Sequence, residues 1–170
     1  MRNAVDLERL YDSHGQALFA YLLNFTRNEQ DTRDALQEVF VKLAKKPEAL
    51  KEAKDERAFL IRLARNAAID LMRRRSARDR NEERFGTEHL SVFAGTTDPD
   101  EEGFRVQLAQ ALGELPSEQR EVVHLKLWEK LTFEQIASVL EIPADTAARR
   151  YRYGLDKLRG LLRPLYDEIK

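Results

Sequence analysis

The chain has 170 residues, 42% hydrophobic and 35% charged, with only 7 glycines, 5 prolines and no cysteine. Scarce turn-formers argue against a turn-dense all-β sandwich, and the absence of thiols excludes disulfides, iron–sulfur clusters and cysteine-ligated zinc. The net charge of −1 hides a pattern: residues 57–80 hold eight arginines against two acids, 81–103 hold seven acids against one arginine, and 145–163 hold six cations against two acids. A near-neutral total is therefore compatible with nucleic-acid binding, because phosphate responds to local charge.

The first helical stripe runs Leu7, Leu10, Tyr11, His14, Leu18, Tyr21, Leu22 and Phe25, which makes His14 a packed core residue. After a break at 26–29, a second helix turns Ala35, Leu36, Val39, Phe40 and Leu43 inward, and Pro47 ends it because proline cannot continue the hydrogen-bond ladder. A charged connection over 48–57 leads to a third helix, with Phe59, Leu60, Leu63, Ala64, Ala67 and Leu71 inward and Arg73, Arg74 and Arg75 at its end. Three facing stripes predict an N-terminal bundle over 1–78. Periodicity fails over 79–103, which reads as a flexible acidic linker, too long for a loop within a compact domain.

The second domain, 104–170, opens with a helix bearing Phe104, Leu108, Ala111, Leu112 and Leu115. Pro116 and Ser117 start another, with Ser117 as its cap; it presents Val122, Val123, Leu125, Leu127 and Trp128. Thr132-Phe133-Glu134-Gln135 has capping-box spacing and opens a short helix that buries Ile136, Ala137 and Leu140. Pro143 opens the last helix, where its missing N–H costs nothing. The expected fold is all-α, two small helical domains joined by the linker.

A capped short helix, a tight turn and a longer basic helix form a helix-turn-helix. Ala147, Tyr151, Leu155 and Leu158 should face the core, leaving Asp145, Thr146, Arg149, Arg150, Arg152 and Tyr153 outward near the helix start. Arginine there can pair bidentately with guanine in the major groove, and the helix N-terminus favours phosphate. His14, His89 and His124 lie in three different elements without zinc-ligand spacing, and no phosphate loop or nucleophile–base pair is apparent. The expectation is binding rather than catalysis, with no cofactor and no metal. The first residues lack the apolar run of a signal peptide and no segment approaches the ~20 apolar residues of a membrane span. A cytoplasmic protein with no integral membrane segment is expected.

Leu115-Pro116, Gln119-Arg120-Glu121-Val122, Thr132-Phe133-Glu134-Gln135-Ile136-Ala137, Ile142-Pro143 with Thr146, and Arg150 together resemble region 4 of bacterial sigma factors. Independently, Asp34-Ala35-Leu36-Gln37-Glu38-Val39-Phe40 is similar to region 2.2. Phe59 through Arg62, Arg65-Asn66, Ile69-Asp70 and Arg73-Arg74 are similar to regions 2.3 and 2.4. Region 2, a linker and region 4 with nothing between them is the layout of the extracytoplasmic-function (ECF) group, and the resemblance covers nearly the whole chain.

The resemblance implies a transcription initiation factor that binds core RNA polymerase, directs it to promoters through −10 and −35 elements, and aids strand opening. Asp34, Leu36, Gln37 and Glu38 would dock on the β′ coiled coil, with Phe40 left in the core, and region 4 would meet the β flap. Arg62, Arg65, Asn66, Arg73 and Arg74 would lie along the −10 element, with Asp70 orienting the arginines. The 48–56 loop would help hold a flipped-out base. Thr146, Arg149, Arg150, Arg152 and Tyr153 would read promoter DNA at −35, Arg150 alternatively bracing Glu134. An anti-sigma factor is an implied partner, and the free protein is expected to be a monomer. The sequence departs from the family pattern at Glu141, where glycine often makes the turn; at Phe59, in place of tryptophan; and at Ala148 and Leu155, where a basic residue is frequent. The competing expectation is a stand-alone helix-turn-helix regulator that never meets polymerase.

Overall fold

The computed structural model describes residues 6–78 and 99–169; the expected linker lies outside the described residues as far as residue 98. All regular structure among the described residues is helical. The chain divides into two compact units, Met1–Thr87 and Glu88–Lys170.

The first unit contains α1 (Leu7–Thr26), α2 (Glu29–Lys45), α3 (Glu48–Glu52) and α4 (Glu56–Arg78). Asp6 caps α1 by accepting from the Arg9 N–H at 3.0 Å. The helix closes on Arg27, a left-handed residue with φ 56°, whose N–H donates to the Leu23 carbonyl. Asn28 immediately caps α2, accepting from the Asp31 N–H at 2.9 Å. So abrupt a connection turns α2 back against α1, and α4 packs against both. Leu10, Leu18, Tyr21 and Leu22 meet Ala35, Val39 and Leu43 and the α4 residues Leu60, Ile61, Ala64, Ala67 and Ala68, all buried. Each large aliphatic side chain buried here contributes roughly 1.5–3 kcal/mol.

Several expectations change in this unit. The 48–57 connection contains the one-turn helix α3, anchored by buried Leu50. Because α4 serves two neighbours, its buried face is broader than one stripe: Ile61 and Ala68 join it, while Phe59, Leu63 and Leu71 are only half-buried. His14 is not simply core, since its ring reaches Glu56 at 2.8 Å.

The second unit contains α5 (Pro99–Glu114), α6 (Ser117–Leu127), α7 (Phe133–Leu140) and α8 (Ala144–Ile169). The helix expected from Phe104 starts five residues earlier, at Pro99. Proline suits a first helical position and acids suit a first turn, so Pro99, Asp100, Glu101 and Glu102 are start signals rather than linker; Glu101 also pairs with Arg105 at 2.8 Å. At α6 the cap position falls on Pro116, which has no side-chain hydrogen bond to give. Ser117 is instead the first helical residue, and the Arg120 guanidinium donates to the Leu115 carbonyl at 3.2 Å. The capping box forms as expected: the Gln135 N–H donates to Thr132 Oγ1 at 3.1 Å and the Thr132 N–H to Gln135 Oε1 at 2.8 Å. The core gathers Ala111, Leu112, Leu115, Val123 and Leu158, with Trp128, Tyr151, Leu161 and Leu162 packed against it.

Candidate nucleic-acid interface

The helix-turn-helix is aimed by its turn. Glu141 holds a left-handed conformation, φ 58° and ψ 47°, and its N–H donates to the Ala137 carbonyl. The Ile142 N–H reaches the same carbonyl at 3.0 Å. This closure is typical of a glycine position, and Glu141 adopts it although a Cβ in that conformation costs roughly 1–2 kcal/mol. α8 then starts after Pro143, whose carbonyl accepts from the Ala147 N–H at 3.1 Å. Phe133 braces α7 against α8, its ring lying edge-on to Tyr151 at 5.7 Å with Lys126 Nζ 4.4 Å from its centroid.

Ala147, Gly154 and Leu158 form the buried line of α8, with Tyr151 half-buried beside them. Leu155, expected there, is half-buried at the margin. Gly154 escaped the sequence reading. A Cβ at that point would lie 2.8 Å from Val123 Cγ2 and 3.3 Å from the Gln119 carbonyl, so the close approach of α6 and α8 needs glycine. At about 100° per residue, Arg149 lies opposite this line, with Thr146, Arg150 and Tyr153 on one flank and Arg152 on the other. Arg149, Arg152 and Tyr153 are exposed, and Thr146 and Arg150 half-buried. The Arg152 guanidinium sits 5.8 Å from the Tyr153 ring centroid. Among the described residues neither Arg149 nor Arg150 has an ion-pair partner, so Arg150 does not brace Glu134.

On α4, Arg62, Asn66 and Arg73 fall on one line by the same helical arithmetic, and all three are exposed. Arg65 lies beside that line, half-buried, with its guanidinium 5.9 Å from the Phe25 centroid. Arg74 points away from the line, and its Nε donates to the Asp70 backbone carbonyl at 3.4 Å. Asp70 thus holds Arg74 through the main chain rather than through its carboxylate. Arg75, not singled out beforehand, forms an ion pair with buried Asp31 of α2 and ties the helix to the bundle.

On α2, Asp34 and Gln37 are exposed and Glu38 is half-buried; Asp34 accepts from Gln30 Nε2 at 3.0 Å. Beside them lies a groove of about 650 Å³, lined by Tyr11, Phe19, Leu36, Gln37, Phe40 and Val41. Leu36 is buried in it. Phe40 is not the core residue it was expected to be, but half-buried in the groove wall, 5.6 Å from the Tyr11 ring.

The segment before α4 is fixed by two acids. Asp55 accepts from the Arg57 and Ala58 N–H groups at 3.1 and 3.3 Å. Glu56 takes Arg9 at 3.0 Å and His14 at 2.8 Å. The hydrogen bond from Arg9, then that from His14, holds the Glu56 carboxyl below its ordinary pKa. Among the described residues no cluster of His, Asp or Glu could hold a metal ion, and no helix is long and apolar enough to cross a membrane.

Residues 10–78 match the family model of sigma-70 region 2, and residues 111–160 that of sigma-70 region 4. The chain is 33% identical over 163 residues to the ECF RNA polymerase sigma factor SigL of Mycobacterium tuberculosis, covering 94% of this chain and 90% of the relative. It is 26% identical to the ECF RNA polymerase sigma factor SigX of Bacillus subtilis, covering 94% and 85%. In fold it is similar to the sigma factor RpoE of Bartonella quintana, solved in complex with the anti-sigma factor NepR (TM-score 0.73, 20% identity, 93% and 97% covered). It is also similar to CnrH, solved with the cytosolic domain of CnrY (TM-score 0.63, 24% identity, 93% and 88% covered). A stand-alone helix-turn-helix regulator would leave the region 2 match without a role. With both regions matched in order, the chain belongs to the extracytoplasmic-function group of the sigma-70 family, the factors that direct RNA polymerase to promoters.

Proposed function

We propose that promoter contact in this sigma factor is divided between two arginine faces, with α4 holding the −10 strand and α8 reading the −35 duplex. The supporting observation is which arginines lack internal partners. Arg9, Arg33, Arg75, Arg105 and Arg159 each pair with a carboxylate, whereas among the described residues Arg73, Arg149 and Arg150 pair with none. A cation without an internal partner is available to phosphate or to a base edge. On this reading Arg73 holds phosphate as such a cation; exposed Arg62 on the same line of α4, and Arg65 and Arg74 on its flanks, add phosphate contacts by their position, and the Asn66 amide reads a base of the separated strand. Thr146, Arg149, Arg150, Arg152 and Tyr153 make the −35 contacts, and the 48–56 segment holds a flipped-out base.

The polymerase-binding edge is Asp34, Gln37 and Glu38 together with the apolar groove floored by Leu36, a surface suited to a basic amphipathic helix such as the β′ coiled coil. The second unit docks on the β flap, and residues 79–98 tether the two. The protein works in the cytoplasm as a monomer, without catalysing a reaction or holding a cofactor, and an anti-sigma factor sequesters it. Run-off transcription with core polymerase and genomic DNA, followed by start-site mapping, tests the reading. Specific starts that require both proteins are expected, and Glu38→Lys should weaken core binding without unfolding the chain. Tight promoter-duplex binding by the protein alone, with core polymerase having no effect on start sites, would point instead to a stand-alone regulator.

A further inference from the structure

Two polar contacts join α1 to the first residue of α4. The Arg9 guanidinium donates to Glu56 Oε1 at 3.0 Å, and His14 Nε2 meets Glu56 Oε2 at 2.8 Å. They bridge 47 and 42 residues of chain, so neither arises from the spacing of neighbours on one helix. The His14 side chain is 15% exposed, in a setting where an imidazole without a partner would be costly. With Glu56 ionised, Nε2 carries the proton and donates it. The lowered pKa of Glu56 agrees with that assignment.

Glu56 directly follows the short connector between α3 and α4. At the α3 end the segment is anchored by buried Leu50; at the α4 end Asp55 caps the helix and Glu56 is gripped from α1. Lys51, Glu52 and Lys54 stay exposed between the anchors. A binding loop held at both ends loses less conformational freedom when it closes on a ligand, and its supporting contacts set how well it discriminates.

We infer that Arg9, His14 and Glu56 form a clamp that positions the 48–56 segment for base selection in the −10 strand. They act as positioning residues: both carboxylate oxygens of Glu56, the last residue of the segment, are taken up by Arg9 and His14, which leaves the base contact to the residues before it. The inference rests on the reading of 48–56 as the base-holding segment. Because the arginines of α4 hold phosphate independently of this clamp, opening it should reduce discrimination among bases while leaving general strand affinity in place.

The test uses the full chain bound to core polymerase. The probe is a labelled single strand carrying the non-template −10 sequence of a promoter mapped by run-off transcription, together with versions in which each base is replaced in turn. For the wild type, one replacement should weaken binding about tenfold or more. In His14→Ala and Glu56→Gln that ratio should fall to about threefold or less, with affinity for a poly-dT strand of equal length kept within about twofold. His14→Gln should recover the discrimination, since its amide N–H can replace the Nε2 donor. Glu56→Gln, at the more exposed side chain, keeps the test open if His14→Ala does not fold.

Undiminished discrimination in both variants overturns the clamp and leaves the base-holding role of 48–56 standing. Equal losses of cognate and poly-dT affinity mark a contact that merely stabilises the fold, and also overturn it. A wild type that discriminates at no position overturns the base-holding reading and the clamp with it.

Discussion

On α4 the cations share their helix with the centre of a three-helix core. Arg65 covers Phe25, Arg74 leans on the Asp70 carbonyl and Arg75 neutralises buried Asp31. On α8 the buried line occupies one side only, and Arg149 and Arg150 stand without carboxylate partners among the described residues. The two helices carry similar numbers of basic residues, seven on α4 and six on α8, but on α4 Arg65, Arg74 and Arg75 are engaged by the rest of the unit. On the proposed reading, substitutions of Arg65, Arg74 or Arg75 should therefore mix stability with binding, while substitution of Arg149 on the outer face of α8 should report binding alone.

The strongest way to break the separation on α8 is from its buried side. Gly154→Val places a branched side chain where even a Cβ would meet Val123 Cγ2 at 2.8 Å. Overpacking of a close helix contact should destabilise the second unit by about 3 kcal/mol. Trp128 is the chain's single tryptophan and lies against that core, so its fluorescence in denaturant reports this unit. Its midpoint should drop; an unmoved midpoint would mean that α6 and α8 can separate without cost.

That glycine also shows where the sequence stopped being legible. Periodicity located the buried line of α8 through Ala147 and Leu158 but substituted Leu155 for Gly154, because apolar size carries a periodic signal and the lack of a side chain does not. The capping box at Thr132 and Gln135 could be read directly, since both partners lie within four residues. The Glu56 contacts could not: Arg9 and His14 lie more than forty residues away, and no local pattern announces such a pair. Pro99 and the acids after it are helix-start signals that also fit an acidic linker, so composition alone misassigned them. Phe40 shares the stripe of Val39 and Leu43, which points to the core, and only packing shows that α1 leaves its ring at a groove.

Next in size is the contrast between Arg149 and Arg74. Arg149→Ala should cost about 1–3 kcal/mol in −35 duplex binding and relax selectivity at one base pair if the contact is bidentate. Its unfolding midpoint should match the wild type. Arg74→Ala should weaken binding of all −10 strands alike, lowering the slope of log affinity against log salt by about one. Fluorescence anisotropy over a salt series distinguishes them. A uniform loss for Arg149→Ala would reassign that arginine to phosphate.

A smaller effect separates the units by pH. Glu56 has its pKa lowered in the folded state, first by Arg9 and then by His14. Its contribution to stability is therefore present above the ordinary carboxylate value of about 4.5 and is lost as pH falls through the lowered one. The carboxylate is 37% exposed, and a solvent-screened pair of this kind contributes less than about 1 kcal/mol. Glu56→Gln should flatten the acid limb of the first unit's stability in circular dichroism while leaving the Trp128 transition unchanged. Identical acid limbs in the variant and wild type would show that the pairs add nothing in solution.

The smallest expected change comes from Glu141→Gly, at the turn that aims α8. Relieving a left-handed Cβ gains roughly 1–2 kcal/mol, and the extra freedom of glycine in the unfolded chain takes back roughly 0.5–1 kcal/mol. A net gain of about 0.5 kcal/mol is therefore expected, read as a higher Trp128 midpoint. The variant also removes an acid three residues before the start of α8, near a helix N-terminus that favours phosphate. Affinity for all −35 duplexes should rise together, most clearly at low salt, with base preference retained because Arg149 and Arg150 keep their places. A changed preference would instead make the strained turn part of how this helix-turn-helix selects its sequence, with Glu141 setting the angle at which α8 enters the groove.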